Sequence, residues 1–365
     1  MGLFGHYKQF EGLSEEEVNA GLRRRARERR SRELERVEPL DLRRTTWGEL
    51  PAPEVVAAIT FAARRGLNRY AEGRDDELRA ALAARHGVDA ARLAIGEGAS
   101  GLLQRAAHEW LAAGDEVVLP WPCYPLYPLA VRDAGAVPVP VDGLDPERLL
   151  DAVGPRTRML LLGGPGDPTG EVLPAPALAE LLRRLPERVV VVVDEALREL
   201  ADHEPVDAVL RLTDDHPRLV VVRSFSKAWG LAGLRCGYAV ASPERPPAAL
   251  APRLGLPDLT LAGVLAALAR PQVVAERGRL VAERRRRLER ELTAAGALLR
   301  PSQGPAVWLR APGVDGPALR AGLERRGVLV QGGDAFGDGD HVRMTVPDDA
   351  QRDRVLRAYG AVAGR

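Results

Sequence analysis

Apolar residues in this chain fall into two kinds of run. Short β-branched and leucine blocks, ended by Gly, Pro or Asp, predict buried strands at residues 93–95, 116–119, 137–141, 159–162, 189–193, 219–223 and 237–240. Between them lie alanine- and leucine-rich stretches that predict helices. This alternation runs from Leu40 to about Ser242. It is the order that builds a mostly parallel sheet with helices on both faces, and a strand covered on both faces is apolar throughout, as in the five valines 189–193. Beyond Pro243 the sequence turns Pro/Ala-rich, then helical, with strand-like runs at 306–309, 328–330 and 341–346. The expected organisation is an N-terminal helical arm (1–39), a large α/β domain (40–245) and a smaller C-terminal α/β domain (246–365). In the arm, Ser14 and Glu17 make a capping box and Leu13 and Val18 a hydrophobic staple. Arginine-rich stretches at 23–32 and in a helix over 271–296 are interleaved with glutamate and read as solvated faces.

Charge and composition narrow the class. The 365 residues carry 52 basic and 51 acidic side chains, so no strong field of one sign exists to recruit nucleic acid or a membrane surface. Two cysteines, Cys123 and Cys236, make no disulfide framework, and no apolar run is long enough to span a bilayer. The charged N-terminus does not read as a signal peptide, and a cytoplasmic location is expected. No metal-ligand cluster stands out.

In open α/β sheets ligands lie beyond the carboxyl ends of the strands, so chemistry is sought in the residues just after each one. The run 219–223 empties into Ser224, Phe225, Ser226 and Lys227, then a glycine-rich turn ending at Arg235. Arginine supplies nearly all the positive charge here, and Lys8 is the only other lysine. Lys227 therefore reads as a demand for a primary amine, which forms Schiff bases and can lose its proton where a guanidinium cannot. Ser224, Ser226 and Arg235 are suitable donors for a phosphate ester. After the first large-domain strand, Gly98, Ala99 and Ser100 open a helix whose N-terminus suits an anion. Asp194 ends the valine run, where a buried acid needs a cationic partner. Arg343 sits among apolar residues and needs an anion for the same reason.

The stretch from Ser224 to Tyr238 resembles the S-x-S-K-x-x-G-x-x-G-x-R-x-G-Y motif of class I/II aminotransferases, fold-type I pyridoxal-phosphate enzymes, with the histidinol-phosphate branch most similar. The similarity extends over residues 40 to 363. It implies a large domain with a mostly parallel sheet between helices, a smaller α/β domain and bound pyridoxal 5'-phosphate. It implies amino transfer between an amino acid and a 2-oxo acid through a Lys227 aldimine, in a homodimer with shared sites. By the matching motifs, Tyr124 stacks on the cofactor ring, Asp194 partners its nitrogen, and Ala99 (by its backbone), Ser100, Ser224, Ser226 and Arg235 hold its phosphate. Tyr70 reaches the phosphate of the neighbouring subunit, and Arg343 binds the substrate carboxylate.

This chain also departs from the pattern. Asp167 stands for the asparagine, and Leu197 for the tyrosine, that donate to the cofactor's phenolic oxygen, so the apparent pKa at that centre is expected to rise. Gln331 stands where the branch has a phosphate-holding arginine, and Thr45, Thr46, Trp47 and Gly48 replace its N-E-N-P loop. Histidinol phosphate is therefore expected to be a poor substrate. Two other readings are a related enzyme that decarboxylates, eliminates or oxidises, and a catalytically silent cofactor-binding module.

Overall fold

The valine-rich runs pair into one seven-stranded sheet in a computed structural model, which describes residues 20–24, 38–71 and 73–364. In chain order the strands are β1 Leu40–Asp41, β2 Leu93–Gly96, β3 Glu116–Trp121, β4 Val137–Asp142, β5 Thr157–Gly163, β6 Val190–Asp194, β7 Leu219–Ser224, β8 Gly237–Ala241, β9 Leu298–Leu299, β10 Ala306–Arg310, β11 Val328–Leu329, β12 Gln331–Gly332 and β13 Val342–Thr345. The large sheet has the order β2-β8-β7-β6-β5-β3-β4. Its pairs are parallel from β7 through β4, and β8 runs against both of its neighbours.

Both faces of the sheet are buried. Val190 and Val192 enter one core with Leu102, Leu103 and Ala106 of the helix Gly98–Trp110, while Val191 and Val193 enter another with Leu178, Leu181 and Leu182 of the helix Ala175–Arg184. Each buried valine contributes about 1.5–3 kcal/mol, which is why the run is unbroken by polar residues. The parallel strands all end on the same edge, and the loops leaving that edge build the site.

The C-terminal unit has a four-stranded antiparallel sheet, β12-β13-β10-β9, and β1 pairs parallel with β11. The run 328–330, read as one strand, divides between these two ladders on either side of Val330. Packing also redraws the expected boundaries. Leu40 and Leu42 are buried with Val307, Leu309 and Val342 of the C-terminal unit. The helix Asp258–Leu268 instead buries Leu261 and Val264 with Phe225 and Tyr238 of the large sheet. Composition shifts at Pro243, but the apolar face of the later helix still belongs to the earlier core.

The helix Pro271–Ala294 joins the two units, with Val274 and Val281 in the large core and Leu288 and Leu292 in the small one. Its arginines are not uniformly solvated. Arg285 is 1% exposed and donates to the carbonyls of Leu200 and Gly304 and to Asp202 Oδ1 at 2.8 Å. Its spacing from Val281, Leu288 and Leu292 puts it on their face of the helix. Arg284 and Arg287 stay at the surface and pair with Asp349. Among the described residues no single helix is long and apolar enough to cross a membrane. The expected capping box at Ser14 and the arginines at 25–32 lie outside the described residues.

Candidate active site

Loops from the carboxyl ends of β2, β3, β5, β6 and β7 surround one cavity of about 190 Å³. It is lined by Ala99 and Ser100 after β2, Tyr124 after β3, Asp167 after β5, Asp194 at the end of β6, and Ser224, Ser226 and Lys227 after β7, with Arg235. Ten of the eleven expected site residues are thus together or adjacent. Tyr70 is not at its own chain's cavity and is 80% exposed.

One end is an anion cradle. Arg235 donates to Ser100 Oγ at 2.9 Å and to Ser226 Oγ at 3.2 Å, and the Ser226 N–H donates to Ser224 Oγ at 3.1 Å. Arg235 has φ 51°, the only positive φ among the described non-glycine residues, a conformation that costs about 1–3 kcal/mol and aims the guanidinium inward. Gly237 lets the chains approach closely here, since a Cβ would stand 2.8 Å from the Ala99 nitrogen and 2.6 Å from the Arg223 carbonyl. The helix Gly98–Trp110 begins at this point, so its free N–H groups add to the positive potential.

The other end is acidic. Asp194 is 7% exposed, with Oδ1 accepting from the Ala196 N–H at 2.9 Å and Oδ2 from Tyr127 Oη–H at 3.0 Å. Burial pushes its carboxyl up, and the two donors and the Lys227 charge oppose that rise. Tyr127 is a site residue that the sequence did not single out. It lies three positions after Tyr124, with the rings edge to face at 5.8 Å, and that helical spacing was the available signal.

Lys227 projects between the two ends. Burial lowers its pKa, and the nearby Asp167 carboxylate works against this. Its Nζ donates to Thr45 Oγ1 at 2.6 Å, across 182 positions, and nothing in the local pattern marks Thr45 as a partner. The turn after Lys227 is held by Arg277, which donates to the Ala228 carbonyl and stacks on Trp47 at 4.5 Å.

Arg343 differs from expectation. Instead of opening into the cavity it is 7% exposed behind Asp167, and its Nη1 lies 2.7 Å from both Asp167 oxygens. The aspartate that replaces the family's asparagine gives the guanidinium an anion of its own. Leu197 is buried at the cavity wall.

Beneath the cavity floor lies a charged network. Arg223 donates through Nε and Nη2 to Glu195 Oε2 at 2.9 and 2.8 Å and through Nη1 to Asp207 at 2.7 Å, and His86 links Asp207 to Tyr238. Glu195 follows Asp194 and Arg223 precedes Ser224, so the network ties together the two loops that carry the acid and the lysine.

These residues fit pyridoxal phosphate on structural grounds. The cradle supplies donors for a phosphate, Tyr124 offers a ring face, and the buried Asp194 carboxylate is stabilised by a cationic ring nitrogen.

Residues 43–358 match the family model for aminotransferase class I and II. The aromatic amino acid aminotransferase of Cutibacterium acnes is 37% identical over 324 residues, covering 86% of this chain and 90% of that protein. The enzyme of the same name from Corynebacterium efficiens is 36% identical over 320 residues, covering 86% and 90%. Among solved structures, the histidinol-phosphate aminotransferase of Sinorhizobium meliloti, in complex with pyridoxal-5'-phosphate, aligns with a TM-score of 0.79 at 30% identity, covering 92% of this chain and 94% of that one. A chain matched over this length, with a lysine, an acid and an anion cradle at one cavity, belongs to the class I and II aminotransferases and is a pyridoxal-phosphate enzyme of fold type I that moves amino groups between amino acids and 2-oxo acids.

Proposed function

We propose that this chain is a cytoplasmic homodimeric aminotransferase for aromatic amino acids, with Lys227 as its reactive amine. The convergence of Lys227, Asp194 and the Ser100–Ser226–Arg235 cradle on one cavity is the observation that carries the reading. Bound pyridoxal phosphate supplies an electron sink for bond cleavage at the substrate α-carbon. Arg235, Ser100, Ser224, Ser226 and the Ala99 backbone hold the phosphate, and Tyr124 packs on the ring. Asp194, held in orientation by Tyr127 and the Ala196 N–H, keeps a positive charge at the ring nitrogen. Lys227 Nζ takes the proton from the substrate α-carbon, and burial favours the neutral amine that this requires. Arg343 receives the substrate carboxylate.

Substrate choice is supported by the names of the relatives and by the walls. Leu103 and Leu197 give the cavity apolar surface for a ring, while Gln331, opposite Arg343 in the β12–β13 ladder, brings no charge for a second phosphate. A half-reaction screen of the holoenzyme is expected to rank phenylalanine, tyrosine and tryptophan above aspartate and histidinol phosphate. Fastest turnover of histidinol phosphate would overturn the substrate assignment.

Exposed Tyr70 supports a dimer in which it serves the partner's cradle; Phe61 and Leu67, earlier in the same stretch of chain, are also exposed. A mixture of Tyr70→Ala and Lys227→Ala protomers is then expected to regain about a quarter of wild-type activity, because half the dimers are mixed and each of those has one intact site. No recovery on subunit exchange would place Tyr70 outside the partner's site.

A further inference from the structure

The two units meet at the pair Asp167–Arg343, which joins the loop after β5 to strand β13. The cavity wall contains Asp167 but not Arg343, so a ligand carboxylate approaching from the cavity reaches another carboxylate first. The arginine is otherwise engaged. Its Nη2 donates to the Arg43 carbonyl and its face lies 4.9 Å from the centre of the Phe336 ring, leaving a buried Nε as its one unpartnered nitrogen. Both members of the pair act on the charge of Lys227, as do Asp194 and Arg235.

Resting on the aminotransferase reading, we propose that Asp167 is a specificity-determining residue, a built-in carboxylate that holds Arg343 in the free enzyme and that a substrate carboxylate must displace. Displacement exchanges one carboxylate on the guanidinium for another and leaves Asp167 without its partner. The substrate carboxylate therefore adds little net affinity, and selection shifts to what the rest of the substrate does with the cavity walls. A ring that packs on Leu103 and Leu197 meets that demand, and a small acidic or aliphatic side chain does not.

The test uses the holoenzyme and an unreactive matched pair, 3-phenylpropionate and its uncharged amide, with affinities from calorimetry. The wild type is expected to hold the acid no more than about threefold tighter than the amide, because the exchange of anions at Arg343 is close to balanced. Asp167→Asn is expected to tighten the acid by about tenfold or more and leave the amide unchanged, since the asparagine carries no competing charge. Asp167→Ser serves the same purpose should the asparagine variant fold poorly. A wild-type preference for the acid of tenfold or more overturns the proposal without any variant, as does an equal effect of Asp167→Asn on both ligands or on neither. The half-reaction with phenylalanine, run on the same preparation, separates the two ideas: its absence removes the substrate assignment and leaves the competition at Arg343 to be judged by the acid and amide.

Discussion

Lys227→Arg is expected to lower kcat by about four orders of magnitude while the protein still folds and still binds phosphate esters. The substitution keeps the charge, and the cavity wall is only slightly enlarged. What is lost is an amine that bonds covalently to a carbonyl carbon and carries a proton; a guanidinium, protonated at every working pH, does neither. Burial pulls the Lys227 pKa down, and the Asp167 and Asp194 carboxylates oppose it. Steady-state assays with phenylalanine and a 2-oxo acid measure the loss. Retention of even a tenth of wild-type kcat would show that the charge, and not the amine, is required.

Arg223→Ala should be the most damaging single change for the fold near the site, costing about 3–5 kcal/mol. The guanidinium is 1% exposed and hydrogen-bonds Glu195, which is 0% exposed, so truncation leaves that buried carboxylate without a hydrogen-bonded cation, with Arg198 at 3.7 Å as its remaining positive neighbour. Burial alone pulls the Arg223 pKa down, but the adjacent Glu195 charge overrides it and keeps the group firmly protonated. Asp207 would be exposed to the same loss. Burial raises its carboxyl pKa, yet the hydrogen bond from His86 and the charge of Arg223 hold it well below the usual carboxylate range. Denaturant midpoints of the variant and wild type, at matched cofactor saturation, give the difference. The double variant Arg223→Met with Glu195→Leu is expected to recover part of the loss, because it removes the pair together while Arg198 keeps Glu204 and Asp207 keeps His86. A midpoint unmoved by Arg223→Ala would mean that water reaches Glu195.

Much of the site was legible because local sequence carries strong signals at those positions. Lys227 stands out as one of two lysines in an arginine-rich chain, and Asp194 as an acid at the end of five valines. The cradle was legible because glycine and serine after a strand mark an anion site at a helix start. Partners brought in by tertiary packing were not legible. Thr45 meets Lys227 across 182 positions and Asp167 meets Arg343 across 176, and no periodicity connects such pairs. The sequence did show that an aspartate stood in an asparagine's position; it did not show that the buried arginine would take it as a partner. Strand positions followed from apolar runs, whereas the unit boundaries did not, since Leu40 and the helix Asp258–Leu268 pack across the points where composition changes. Arg285 is an intermediate case, because its spacing from Val281 and Leu288 was visible beneath the charge pattern that suggested solvent.

The most direct measurement is a single half-reaction. Holoenzyme mixed with phenylalanine, with no 2-oxo acid present, is expected to release one equivalent of the corresponding 2-oxo acid per Lys227, retain the amino group on the protein, and release neither carbon dioxide nor free ammonia. Release of carbon dioxide or ammonia, or formation of the 2-oxo acid by Lys227→Ala at the wild-type rate, would contradict amino transfer through this lysine.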